Sequence, residues 1–350
     1  MSETQAFFRE TAERVLADSV SERDAEAAES RKLPDALFAA LEETGILSMM
    51  APADVGGVDA SLADTAAILQ AAGAAAAPGP LLETLLGRSL LARSGAEAAA
   101  GPLTLVFWPE ADGPLPGDRL WPQPPVLHDV PWGGLVERLL IIAPSARGVR
   151  IIASQPAAWT IEPGADAAGE PRDRLSAANL PVQVTEIADA GFDELCRTAA
   201  VMRAAQLVGA LEWCFHRSAE YVMERKQFGR ELGKFQAVQQ MLAELADNAL
   251  AAAAITDAAA ASPSRALVAS ARSRIADAAD AAITIAHQVH GAIGFSREYA
   301  LNHRTRRLMA WRDDYGSVHH WRRGLAEEFV GLTRDAFWPA VADAGLSQPA

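Results

Sequence analysis

Two short segments carry residue types suited to holding a dinucleotide. The first runs from Tyr221 to Gln236 and contains Arg225, Lys226, Gln227, Phe228 and Gly229, then Phe235 and Gln236. A guanidinium grips a pyrophosphate through its forked donors. An aromatic ring packs on a flat heterocycle, and the Gln236 amide can bond ring edges. The plain alternative is a charged helix end with a phenylalanine plug. The second segment is Gln288-Val289-His290-Gly291-Ala292-Ile293-Gly294-Phe295. Two glycines three apart after a helix let backbone approach a ligand closely. Taken alone, that pair is weak evidence, and a simple helix stop is its plainer reading. It is no Rossmann fingerprint, because no strand precedes it.

These residues need helices to position them. A long helix should end at Arg225-Lys226, turn at Gly229 and restart near Phe235-Gln236. Ser262-Pro263 reads as the start of the next helix, with Ser262 as N-cap, and Gly291 as its end. From about residue 190 the chain is helical and alanine-rich, which suits close packing in an antiparallel bundle. Before about residue 100 it is also helical. Pro34 can open a helix, Leu37 and Leu41 follow at helical spacing, and Gly45 closes it. Ser61 is a candidate N-cap, with Asp64 three residues on.

The stretch between differs. Proline clusters at Pro114, Pro116, Pro122, Pro124 and Pro125. Short apolar runs, Leu103–Trp108, Leu139–Ala143 and Val149–Ala153, replace long periods, and Pro144–Gly148 suits a hairpin. Leu180–Thr185 reads as one more strand. The expected fold is therefore mainly α with an inserted small β domain. Its parts are an N-terminal helical domain (1–101), a small β domain (102–188) and a C-terminal four-helix bundle (189–350).

Composition narrows the function. The chain has 350 residues, half of them hydrophobic, and a formal net charge of -14. That size suggests two or three domains. The acidic balance argues against a nucleic-acid partner. The polar start reads as no signal peptide, and no apolar run suggests a membrane span. A cytoplasmic location with two reduced thiols, Cys196 and Cys214 on one helix, is expected. No metal site is expected, since neighbouring His319 and His320 diverge by about 100° on a helix. His303, Arg304, Arg306 and Arg307 form a basic cluster, read either as a phosphate contact or as a solvated or interface face.

Taken together, the two glycine-bearing segments resemble acyl-CoA dehydrogenases. Members of that family carry Arg-x-x-Phe-Gly with a later Phe-Gln. They then carry Gln-x-x-Gly-Gly-x-Gly-Phe and an acidic-aromatic pair, here Glu298-Tyr299. Ala292 stands for the second adjacent glycine. Leu41–Leu47 and Pro52–Gly57 match the family's N-terminal pattern. The resemblance implies FAD, bound by Arg225, Gln227, Phe228, Gln236, Gln288, Gly291 and Ala292 across a subunit interface. It also implies an acyl-CoA substrate and α,β-desaturation.

The resemblance breaks where the reaction needs a proton acceptor. The family's usual Glu falls on Tyr315, a poor base at neutral pH. A second position used by some members falls on Ala199. Asp314 is the adjacent carboxylate. The family's flavin-ring stretches are missing from the β region, where Trp159-Thr160-Ile161 is only a faint echo. These departures resemble the base-lacking subunit of heteromeric bacterial, steroid-type acyl-CoA dehydrogenases. The implied partner is a second, base-carrying subunit in an α2β2 assembly, and the implied substrate a steroid side-chain thioester. Two alternatives stay open: a homo-oligomeric dehydrogenase using Asp314, and a flavin-free structural or regulatory relative.

Overall fold

The computed structural model describes residues 2–97, 99–109 and 119–343. Pro114 and Pro116 of the proline-rich stretch lie outside them. The order is α1 (Glu3–Ser19), α2 (Glu22–Glu29), α3 (Asp35–Glu43), α4 (Leu62–Ala74) and α5 (Leu81–Arg93). Strands follow: β1 (Leu103–Phe107), β2 (Leu120–Trp121), β3 (Leu127–Pro131), β4 (Arg138–Pro144), β5 (Val149–Ser154), β6 (Thr160–Glu162), β7 (Arg172–Ser176), β8 (Leu180–Pro181) and β9 (Gln183–Ile187). The rest is α6 (Phe192–Glu224), a small ladder of β10 (Lys226–Gln227) and β11 (Arg230–Glu231), then α7 (Gln236–Ala261), α8 (Arg265–His290), α9 (Ala300–Trp311), α10 (Val318–Phe329) and α11 (Arg334–Asp343). The mainly α fold with a small β insertion is as the sequence implies. The described residues divide into two compact units, 2–13 with 62–76 and 200–343, and 14–61 with 77–199.

The β-containing unit holds a four-stranded sheet in the order β1-β4-β5-β9, and a three-stranded one in the order β3-β7-β6. The expected hairpin is there: Leu140 faces Ala153, and Ser145 N donates to Gly148 O at 3.0 Å. Leu139, Ile141 and Ile152 bury one face against Trp121, Val130 and Leu175. The single strand expected over Leu180–Thr185 is two. β8 pairs with β2, and β9 with β5. Pro181 has no N–H to continue a ladder, and Val182 N turns to Arg119 O at 3.1 Å. Trp159 is core: it is buried and its Nε1 donates to Ser154 Oγ at 2.9 Å.

Asp173 fixes this unit from inside. It is fully buried and accepts from Arg31 Nη1 and Nη2 at 2.8 and 3.0 Å and from Gly134 N at 2.8 Å. Removing Asp173 leaves the Gly134 N–H and the partly exposed Arg31 guanidinium without their acceptor. Asp173→Ala is therefore expected to cost about 1–3 kcal/mol, readable as an earlier urea midpoint with the slope unchanged.

In the helical unit, Leu207, Val208 and Leu211 of α6 pack with Ile275, Ala278 and Ala282 of α8 and with Leu308 and Trp311 of α9. The N-cap of α8 is Ser264, whose hydroxyl accepts from Leu267 N at 3.2 Å, and not Ser262. Ser262 still closes α7 through its N–H to Ala258 O, and a residue before proline avoids helical backbone. The basic cluster is mostly internal, with Arg306 half-buried, so it is not a solvated face. His303, Arg304 and Arg307 are buried. Arg304 lies 4.2 Å from the centre of the Trp213 ring and donates to Ala74 O at 3.1 Å. Burial pushes both thiols, Cys196 and Cys214, up to about 12, which removes them as nucleophiles near neutrality.

Candidate functional site

The helix–turn–helix expected around Gly229 is present. α6 ends at Glu224, and α7 begins at Gln236. Between them Gln227 pairs with Arg230 across a hairpin whose two turn residues, Phe228 and Gly229, have φ of 51° and 80°. Both positive values define the hairpin turn that normally selects Asn-Gly. A phenylalanine there is unfavourable for local structure alone. Its ring is 89 % exposed, so it is no plug. Arg225, Gln227 and Gln236 are exposed with it.

α8 ends as expected at Gly291, with φ 64° and ψ -144°. That backbone is open to glycine and little else. A Cβ built on Gly291 would meet no heavy atom within 4 Å. Gln288, Gly291 and Ala292 are all exposed. Gly294 differs: its Cβ position lies 3.1 Å from the His290 side chain and 3.2 Å from His287 Nδ1. The first glycine thus opens space, and the second closes a turn.

Contacts that the sequence did not signal bring the two segments together. Tyr221, one turn before Arg225, donates its hydroxyl to His290 O at 3.3 Å and stacks on the His290 ring at 4.4 Å. Tyr299 lies 5.4 Å from that ring and accepts from Arg217 Nε at 3.0 Å. His287 stacks on Phe295 at 4.4 Å. The result is an aromatic box joining two segments that between them expose one guanidinium, three amides, a ring and bare backbone. Such a set suits a ligand with phosphates and a flat ring.

Burial lowers the proton affinity of His287 and His290 below the ordinary imidazole range. The unfolded chain then binds protons that the folded chain refuses. The box is at full strength above about pH 6.5 and weakens as pH falls below it. The thermal midpoint should fall more steeply below that pH in the native chain than in His290→Gln, a comparison that cancels the carboxylate contribution.

Tyr315 and Asp314, where the resemblance leads one to look for a base, lie in the turn after α9. Tyr315 has φ 56°, and Asp314 Oδ2 sits 3.1 Å from Nε of Arg203, which is 4 % exposed. Arg203 also donates to Gln206 Oε1 at 2.5 Å and lies 4.8 Å from the centre of the Trp311 ring. Ala199 is buried on α6.

Residues 2–100 match the model of the acyl-CoA dehydrogenase N-terminal domain, and residues 193–313 that of the C-terminal domain. The acyl-CoA dehydrogenase IpdE2 of Mycobacterium tuberculosis is 31 % identical over 266 residues, 75 % of this chain and 76 % of that one. The chain belongs to the acyl-CoA dehydrogenase family. The fold agrees at lower identity. The ChsE4-ChsE5 complex from Mycobacterium tuberculosis is similar with a TM-score of 0.81 at 20 % identity, covering 95 % of this chain and 99 % of that one. A Tcur3481-Tcur3483 steroid ACAD variant gives 0.81 at 20 % identity, covering 99 % of each. Among the described residues, no helix is long and apolar enough to cross a membrane.

Proposed function

We propose that this acyl-CoA dehydrogenase chain is one of two unlike subunits, completing a FAD site seated mainly in its partner. The observation that carries the proposal is the ion pair of Asp314 with buried Arg203, beside Tyr315 at the usual base position. A carboxylate so paired would have to give up the ion pair to accept a substrate proton, and would leave a buried guanidinium behind. This weighs against Asp314 as the base of a self-sufficient homo-oligomer.

Arg225 would bind the FAD pyrophosphate. Gln227, Gln236 and Gln288 would bond polar edges, Phe228 would pack on a ring, and Gly291 and Ala292 would let backbone approach. FAD, when bound, supplies the acceptor for the hydride lost from the acyl β-carbon. The partner subunit supplies the base that takes the α-proton. An α2β2 arrangement and a bulky, steroid-type CoA thioester are the assembly and substrate this reading favours. The likeness to a complex of two named chains and to a steroid ACAD supports it. The outward-facing motif supports it against a flavin-free relative. The division into helical, β and bundle domains at 101/102 and 188/189 belongs to the same reading.

The test is purification of this chain alone and with a base-carrying family member encoded beside it. The expected result is a colourless chain alone, and a yellow, active complex of the two. A yellow chain that turns over acyl-CoA by itself overturns the proposal. In that event Asp314→Asn would stop turnover while FAD stayed bound.

A further inference from the structure

The turn that follows α9 is held by more than the Arg203–Asp314 pair. Arg272, on α8, is 2 % exposed and donates from Nη2 to both Arg312 O and Asp314 O at 2.7 Å. Among the described residues, no hydrogen-bond partner reaches its Nε or Nη1. Burying a guanidinium is costly, and here the two carbonyl bonds and the neighbouring Asp314 charge offset that cost, so Arg272 and the turn are tied to each other. From α10, Trp321 Nε1 donates to Gly316 O at 3.1 Å. Gly316 has φ 119°, and a Cβ there would come within 2.6 Å of Trp321 Nε1. Three helices therefore grip five residues, two of them in left-handed backbone. A bulky aromatic residue takes that backbone only when its surroundings impose it. The outcome is the Tyr315 ring placed 5.8 Å from the Arg203 guanidinium.

We propose that Arg203 and Arg272 are positioning residues that lock the 312–316 turn with Tyr315 on Arg203. This fixed surface, and not a proton acceptor, is what the chain presents at the position of the family's base. The kinetic part rests on the function proposed above; the conformational part does not.

The chain has three tyrosines, Tyr221, Tyr299 and Tyr315. Incorporating 3-fluorotyrosine gives three fluorine resonances, and Tyr315→Phe assigns the third. In Arg272→Met the Tyr315 resonance should shift and broaden while those of Tyr221 and Tyr299 hold. Arg272→Lys, which keeps donors for both carbonyls, should restore it. Asp314→Asn, which keeps the carbonyl and the volume, should move it too, and decides the matter where Arg272→Met fails to fold. In the active complex Arg272→Met and Asp314→Asn should raise KM for acyl-CoA on the order of tenfold or more, with the pH profile of kcat unmoved. A Tyr315 resonance unchanged in folded Arg272→Met or Asp314→Asn overturns the positioning role. A kcat profile that loses a limb in Asp314→Asn overturns the claim that no proton acceptor lies here. If no active complex can be made, the function proposed above fails, and the fluorine spectra still decide the lock.

Discussion

Gly209→Ala will destabilise the helical unit by on the order of 3 kcal/mol or more. The usual expectation is the reverse. Glycine inside a helix costs about 1 kcal/mol relative to alanine, so filling it should help. Here α6 crosses α4 with backbone against backbone. A Cβ on Gly209 would lie 1.8 Å from Gln70 O, and one on Gly73 would lie 1.8 Å from Gln206 O. Neither oxygen can retreat unless its helix moves, because both belong to helix backbone. The lost contact then spreads along the crossing, where Gln70, Gln206 and Val208 are buried. A loss of that size shifts the thermal midpoint by about 6–12 °C for a unit of this length. Gly324→Ala on α10 is the control. Nothing lies within 4 Å of its Cβ position, and that change should be neutral or slightly stabilising. The Gly73→Ala, Gly209→Ala double variant should cost less than the sum, since one separation of the helices accommodates both methyls. A Gly209→Ala midpoint equal to that of Gly324→Ala would falsify the crossing geometry.

Those two glycines also show where sequence reading reaches its end. The boundary between α6 and α7 was legible because its signals are local: breakers and a charged helix end announce themselves within a few residues. The β4–β5 hairpin was legible for the same reason. Gly73 and Gly209 look like any helical glycine, because what requires them is an oxygen on a different helix. The Arg203–Asp314 pair belongs to this class as well. In the sequence Asp314 is only the carboxylate next to Tyr315, until a cation from a distant helix is placed beside it. Arg304 and Arg307 failed in the opposite direction. Charge suggests surface, yet a guanidinium can be buried when ring faces and carbonyls receive it, as Trp213, Ala74 O and His303 O do. The Ser262 cap failed by two residues because Pro263 constrains its predecessor more strongly than a serine attracts a helix start. Within the candidate site, Arg225 stands out by its type at a helix end, and Gln288 enters only through the family resemblance. The tie between Tyr221 and His290 that joins their helices was not legible, since neither residue carries a binding signature of its own.

On the function proposed above, Gly291→Val and Arg225→Ala should each strip FAD from a complex of this chain with a base-carrying subunit. The two changes act by different physics. Arg225 is exposed and free to meet an anion, so alanine removes a charge-assisted contact of about 1.5–3 kcal/mol, roughly 10- to 150-fold in FAD dissociation constant. Gly291 offers no side chain; it offers room. Valine would fill open space where a ligand would approach, and would also strain a backbone that only glycine adopts with ease. Strain alone has its own control. Gly95 has φ 68° with nothing within 4 Å of its Cβ position, so Gly95→Ala carries a left-handed penalty of about 1–2 kcal/mol without touching the candidate site. Gly95→Ala should lower the thermal midpoint and leave the visible flavin absorbance of the complex intact. Gly291→Val should lower both. Equilibrium dialysis of FAD against the purified complexes separates the cases. If both site variants retain FAD with unchanged affinity, the exposed residues around Phe228 and Gly291 serve contact between chains alone. The flavin must then be held wholly by the partner.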